Sequence, residues 1–161
     1  IAFAHGLSVV DSAFTDNTAG SGDGGAVEGD GTAVITQSTF IGNHALYGGA
    51  VAVYGELVVT ASHFVSNSAT SSGGAIEAYT PDKTTGIYGS TFIDNTSGSS
   101  GGAMWQEGGS TRISGSTFLR NVASNEGGSP SSGGTMGLRL YGALVCSSAI
   151  LRKSRKVICS V

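Results

Sequence analysis

A phenylalanine with an asparagine three residues after it occurs five times in this chain, and no other feature limits the fold as much. Phe14, Phe40, Phe64, Phe92 and Phe118 are separated by 26, 24, 28 and 26 residues, and Asn17, Asn43, Asn67, Asn95 and Asn121 follow them. Serine stands two residues before each ring, at Ser12, Ser38, Ser62, Ser90 and Ser116. One unit of about 26 residues cannot bury its own apolar side, so a period of this length marks a stack of similar units.

Two further columns define the unit. Gly24-Gly25-Ala26, Gly48-Gly49-Ala50, Gly73-Gly74-Ala75 and Gly101-Gly102-Ala103 follow the first four rings, and Gly127-Gly128-Ser129 is a degraded fifth copy. Val9, Ile35, Val59, Ile87 and Ile113 stand five residues before the rings, and Leu7, Ala33, Leu57, Thr85 and Thr111 two residues before those. That alternation is the period-two signal of a strand. Helical repeats are excluded because there is no 3.6-residue apolar period, and glycine and β-branched residues cost helix propensity. The expected fold is all-β: a right-handed, single-stranded parallel β-helix (solenoid) of about five coils with a non-repeat C-terminal tail. Each coil holds three strands, and coils stack about 4.8 Å apart.

Stacking gives each column a role. The phenylalanines form an interior core stack, each ring burying on the order of 150–250 Å². The asparagines form a ladder, since a carboxamide both donates and accepts and can bond its copy one coil away. Asparagine also tolerates the left-handed conformation of a tight corner. The coil-turn glycines Gly24, Gly25, Gly48, Gly49, Gly73, Gly74, Gly101 and Gly102 permit unusual dihedrals and close approach between coils. The longest spacing is taken up at residues 80–86, read as a polar surface loop at a corner.

Composition divides the chain in two. Residues 1–130 carry eleven acidic and three basic residues, a net −8, whereas residues 131–161 carry five basic residues and no acidic one. A surface this acidic excludes nucleic acid as the partner of the body. Both cysteines, Cys146 and Cys159, lie in the tail, so no disulfide framework holds the body together. The domains are therefore a β-helix region at 1–130 and a basic tail at 131–161. Three readings of the tail stay open: a cap over the end of the solenoid, a membrane-surface segment through residues 151–156, or non-native sequence. Residues 1–14 align without a gap to residues 51–64, so the chain is expected to begin mid-repeat and to continue into further coils at its N-terminus.

Motifs with chemical meaning are weak beside the repeat. Gly20, Gly22 and Gly25 match a dinucleotide-binding spacing, but the same corner elsewhere reads as serine and glycine, so a corner loop is preferred. Asp30 and Glu28 do not recur in neighbouring repeats, as a calcium-binding nonapeptide would require. Glu28 and Glu77 share an outward column two coils apart, wider than the carboxylate pair of a retaining glycosidase. Asp16 and Asp94 share another column, and Arg112 and Arg120 read as solvated surface charge. His5, His44 and His63 fall in different columns, so no metal site and no cofactor are expected. The threonine row Thr39, Thr91 and Thr117 is broken by Ala13 and His63, which argues against an ice-binding face. Tyr54, Tyr79 and Trp105 form either an outward aromatic patch for sugar or protein or, as the preferred reading, packing along the coil.

The paired motifs Gly-Gly-Ala-(Ile/Val) and Phe-x-x-Asn resemble the repeat of the polymorphic outer membrane proteins of Chlamydia, and the coil architecture resembles pectin-lyase-like β-helices. The resemblance covers about residues 1–130. It implies the passenger region of an autotransporter, located extracellularly, at the cell surface or at the outer membrane, and associated with adhesion. The expected function is a non-enzymatic, surface-displayed or secreted β-helix module that scaffolds adhesion or interaction, with cell-surface proteins or glycans as ligands. The alternative is a carbohydrate-active β-helix, a polysaccharide lyase or hydrolase whose catalytic coils lie outside this fragment.

Overall fold

The computed structural model describes residues 1–124, together with the backbone of three later strands. The chain winds into a parallel β-solenoid of about five turns, in which each turn adds one strand to each of several stacked sheets. The first sheet contains β1 (Ala2–Phe3), β4 (Val27–Asp30), β8 (Val51–Tyr54), β12 (Ile76–Tyr79) and β16 (Met104–Glu107), extended by β20 (Met136–Arg139). The second contains β2 (Gly6–Val10), β5 (Thr32–Thr36), β9 (Leu57–Thr60), β13 (Thr84–Tyr88) and β17 (Ser110–Ser114), extended by β21 (Leu144–Ser147). The third contains β3 (Ala13–Thr15), β6 (Thr39–Ile41), β10 (His63–Val65), β14 (Thr91–Ile93) and β18 (Thr117–Leu119), extended by β22 (Ile150–Arg152). The degraded glycine motif at 127–129 falls outside the described residues; of the tail expected to be non-repeat, only β20, β21 and β22 are described, and they pair in parallel with β16, β17 and β18 as the earlier coils do with one another.

A fourth sheet departs from the expected three strands per coil. It consists of two-residue strands, β7 (His44–Ala45), β11 (Ser68–Ala69), β15 (Thr96–Ser97) and β19 (Val122–Ala123). Two residues after an asparagine carry no period that a sequence could display. The long insertion is also shorter than expected, because Thr84, Thr85 and Gly86 lie in β13 and pair with Ser110, Thr111 and Arg112 of β17. Only the polar residues before Thr84 bulge outward, with Pro81, Asp82 and Lys83 exposed.

The core is a set of columns running along the solenoid axis. Phe40, Phe64, Phe92 and Phe118 are fully buried, and Phe14, on the first coil, is partly so. Their ring centroids are 4.7–4.8 Å apart with planes within 7° of parallel, so the coil spacing sets the aromatic stacking distance. Val9, Ile35, Val59, Ile87 and Ile113 fill the next row, and Ala50, Ala75 and Ala103 line the corner beside it. Polar groups replace apolar ones inside the later coils: Thr85 and Thr111 stand in the column of Leu57, and Gln106 in that of Val53 and Ala78. Gln106 Nε2 donates to Thr80 Oγ1 at 3.0 Å and to the Gly108 carbonyl at 2.9 Å, and Thr111 Oγ1 donates to Gln106 Oε1.

Candidate binding face

Two side-chain ladders hold the corners at either end of the third-sheet strands. In the asparagine ladder, Asn43 Nδ2 donates to Asn67 Oδ1 at 2.9 Å and back to the Phe14 carbonyl at 3.0 Å. Asn67 repeats this with Asn95 and Phe40, both at 3.0 Å. Asn95 repeats it with Asn121 at 2.8 Å and Phe64 at 3.0 Å. Asn17 joins the first rung by donating to Asn43 Oδ1 at 2.8 Å. Each Oδ1 also accepts the main-chain N–H of the asparagine one coil earlier, at 3.0–3.1 Å. One carboxamide thus satisfies two donors and one carbonyl in a place water does not reach.

The serines form a second ladder, which the sequence displays as a column without showing its bonding. Ser62 Oγ accepts the N–H of Ser38 at 3.1 Å and donates to the Thr60 carbonyl at 2.8 Å. Ser90 does the same with Ser62 and Tyr88, at 3.1 and 2.9 Å. At the asparagine corner expectation and structure differ. The asparagine does not take the left-handed conformation; the residue before it does. Asp16, Gly42, Ser66, Asp94 and Arg120 have φ of 54–64°, and the residues before the serines, Asp11, Gln37, Ala61, Gly89 and Gly115, have φ of 46–61°. The ladder residue needs an ordinary backbone to aim its side chain along the axis, so the turn strain falls on its neighbour.

The paired glycines divide their work. Gly24, Gly48, Gly73 and Gly101 have φ of 55–68°. The second glycine does not, but a Cβ on Gly74 would meet the Gly102 carbonyl oxygen of the next coil at 2.0 Å. The first therefore serves the turn and the second the contact between coils.

On this frame, the outward positions of the first sheet form the most distinctive surface. Glu28, Ala52, Glu77 and Trp105 lie in register along one row, and Asp30 is in register with Tyr54 in the other. Glu28 and Glu77 therefore share a column with Ala52 between them, two coils apart as expected. Tyr54 and Tyr79 lie on adjacent coils with ring centroids 6.3 Å apart and planes at 50°. They are 39% and 46% exposed, while Trp105 is half-buried. The tyrosine pair is a surface feature rather than packing along the coil, because the alternation that buries Ile76 and Ala78 turns Tyr79 outward. Tyr54 donates its hydroxyl to the Asp23 carboxylate. Burial and then that bond push the Tyr54 phenol upward.

Glu77 is largely enclosed on this face, accepting from Ser72 Oγ at 3.0 Å. Burial raises its carboxyl to about 8; the Ser72 bond opposes that shift, and the nearby Asp23 and Glu107 carboxylates add to it. A carboxyl in that state can donate a hydrogen at neutral pH.

The remaining candidates are scattered. Arg120 forms a two-pronged ion pair with Asp94 at 2.6 Å, so the two are partners rather than separately solvated charges. That pair holds the Asp94 carboxyl below its ordinary value. It forms because Asp94 and Arg120 occupy the same corner position one coil apart. Asp16 occupies that position on the first coil. Among the described residues, no group of three or more His, Cys, Asp and Glu is placed to hold a metal ion, and no helix is long and apolar enough to cross a membrane. No family model, curated protein or solved structure matches this chain.

Proposed function

We propose that the chain is a non-enzymatic β-solenoid module, displayed at a cell surface or secreted, that scaffolds adhesion or interaction. The observation that carries this reading is the exposed Tyr54–Tyr79 pair, held beside carboxylates on a wall of parallel strands paired in register from coil to coil. A rigid platform with aromatic rings at its surface suits recognition, since little conformational freedom is lost on binding. The paired Gly-Gly-Ala and Phe-x-x-Asn motifs support the same reading through their resemblance to the polymorphic outer membrane protein repeat. Binding of the chain to immobilised matrix proteins and to a glycan panel tests the proposal, and reproducible cleavage of a polysaccharide would overturn it.

The carbohydrate-active alternative draws on Glu77, whose protonated carboxyl is what a general acid requires. Under that reading a cleavage screen detects turnover that Glu77→Gln abolishes.

A further inference from the structure

We infer that the outward face of the first sheet docks an extended cationic polypeptide segment, with Lys or Arg side chains at alternate positions lying over Tyr54 and Tyr79. This inference rests on the reading of the chain as an interaction module and names the face and the partner.

Three observations converge on it. The first is the exposed aromatic pair itself. Tyr54 and Tyr79 stand at the surface on a regular wall, and Tyr54 is anchored by its bond to Asp23. Tyrosine rings held in place attract a cation through their faces.

The second is charge. Strands β1, β4, β8 and β12 carry the carboxylates of Glu28 and Asp30, the enclosed carboxyl of Glu77 and no Lys or Arg, and the corner before β4 adds Asp23; the basic residue of this sheet, Arg139 of β20, is in register with Glu107 of β16, beyond the tyrosine pair. Of the basic residues of the body, Lys83 lies in the loop before β13, Arg112 is on β17, and Arg120 is paired with Asp94. This wall therefore favours a cationic partner over a neutral or anionic one.

The third is spacing. In an extended chain, residues i and i+2 point the same way and lie about 6.6–6.8 Å apart. The two ring centroids are 6.3 Å apart, on strands of adjacent coils. A segment crossing the strands along the solenoid axis thus sets one side chain over each ring. The motif it needs is basic-x-basic.

Glu77 supplies a readout specific to a cation. The groups that act on it are Asp23 from the corner before β4, Glu107 on β16 and Ser72 from the corner before β12, and Tyr54 on β8 feels it in turn. A cation brought beside this cluster favours the ionised carboxyl, so binding releases a proton and tightens as pH rises toward and through about 8. A neutral ligand gains nothing from that ionisation.

The test uses the purified chain and a fluorescent peptide of alternating Arg and Gly, with alternating Glu and Gly and a neutral cello-oligosaccharide as comparison probes. Fluorescence anisotropy at fixed ionic strength should show binding of the Arg peptide alone, strengthening from pH 6 to pH 9. Replacing both rings, Tyr54→Ser with Tyr79→Ser, should weaken it by about 5- to 30-fold, from two exposed cation–π contacts. Asp23→Asn with Glu28→Gln should also weaken it, whereas Asp11→Asn with Asp16→Asn, an equal loss of charge at other corners, should not. Unchanged melting curves establish that all three variants fold. Equal weakening by both charge pairs, or loss of oligosaccharide rather than peptide binding in the tyrosine variant, overturns the inference. If the chain binds matrix proteins or glycans without these residues, the docking face is wrong and the interaction module stands. If it binds nothing, both fall.

Discussion

At the scale of single residues, Asn67 shows how much one side chain can carry. Its carboxamide accepts from the Asn43 main chain and side chain and donates to Asn95 and to the Phe40 carbonyl. Asn67→Leu leaves several of these groups buried without partners, each costing about 1–3 kcal/mol. The expected loss in a denaturant titration is about 3 kcal/mol or more, and an unchanged midpoint would contradict the ladder. Glu77 acts through protonation instead. Its carboxyl has an ordinary value near 4.5 and is raised to about 8 in the folded chain. Between those values the folded chain holds a proton that the unfolded chain has released, so this group's contribution to stability falls as pH rises from about 4.5 to about 8. Glu77→Gln should flatten that slope and raise the melting temperature at pH 8 relative to the parent protein.

At the scale of the element, the corner is the unit, and it consists of a left-handed residue followed by a ladder residue. Ala61 bears φ of 48° although it is exposed and makes the turn without glycine. A left-handed L-residue costs roughly 1–2 kcal/mol and glycine gives back about 0.5–1 in chain entropy. Ala61→Gly should therefore raise stability by up to about 1 kcal/mol, measured by thermal unfolding. Gly74→Ala should do the opposite: its φ is unstrained, but the added methyl meets a backbone oxygen of the next coil. The coils must separate, at a cost of about 1–3 kcal/mol or more. Which of two adjacent glycines serves the turn and which the contact is not legible in Gly-Gly-Ala, because the difference lies in what the neighbouring coil places opposite. The turn strain before each asparagine is hidden for a related reason: Asp16, Gly42, Ser66, Asp94 and Arg120 share no side-chain chemistry, only a backbone state.

At the scale of the whole molecule, stability is a sum over coils and their contacts. Phe64 has a ring on either side at 4.7 and 4.8 Å, whereas Phe14, on the first coil, stacks on Phe40 alone. Phe64→Ala should cost about 3–5 kcal/mol and Phe14→Ala about half of that, since one of two faces is lost. Equal losses in denaturant unfolding would show that the coils do not stack independently.

The sequence by itself determined the number of coils, the residues that share each interior column and the parallel stacking of strands. It could do so because a column repeats one residue type at one period, and repetition survives in a linear text. Only the tertiary structure decided the fourth short sheet, the left-handed neighbours, the Asp94–Arg120 pair, the raised carboxyl of Glu77 and the exposure of Tyr54 beside Tyr79. Each of these depends on what stands about 4.8 Å away on the adjacent coil, where different residue types meet and no repetition announces the contact.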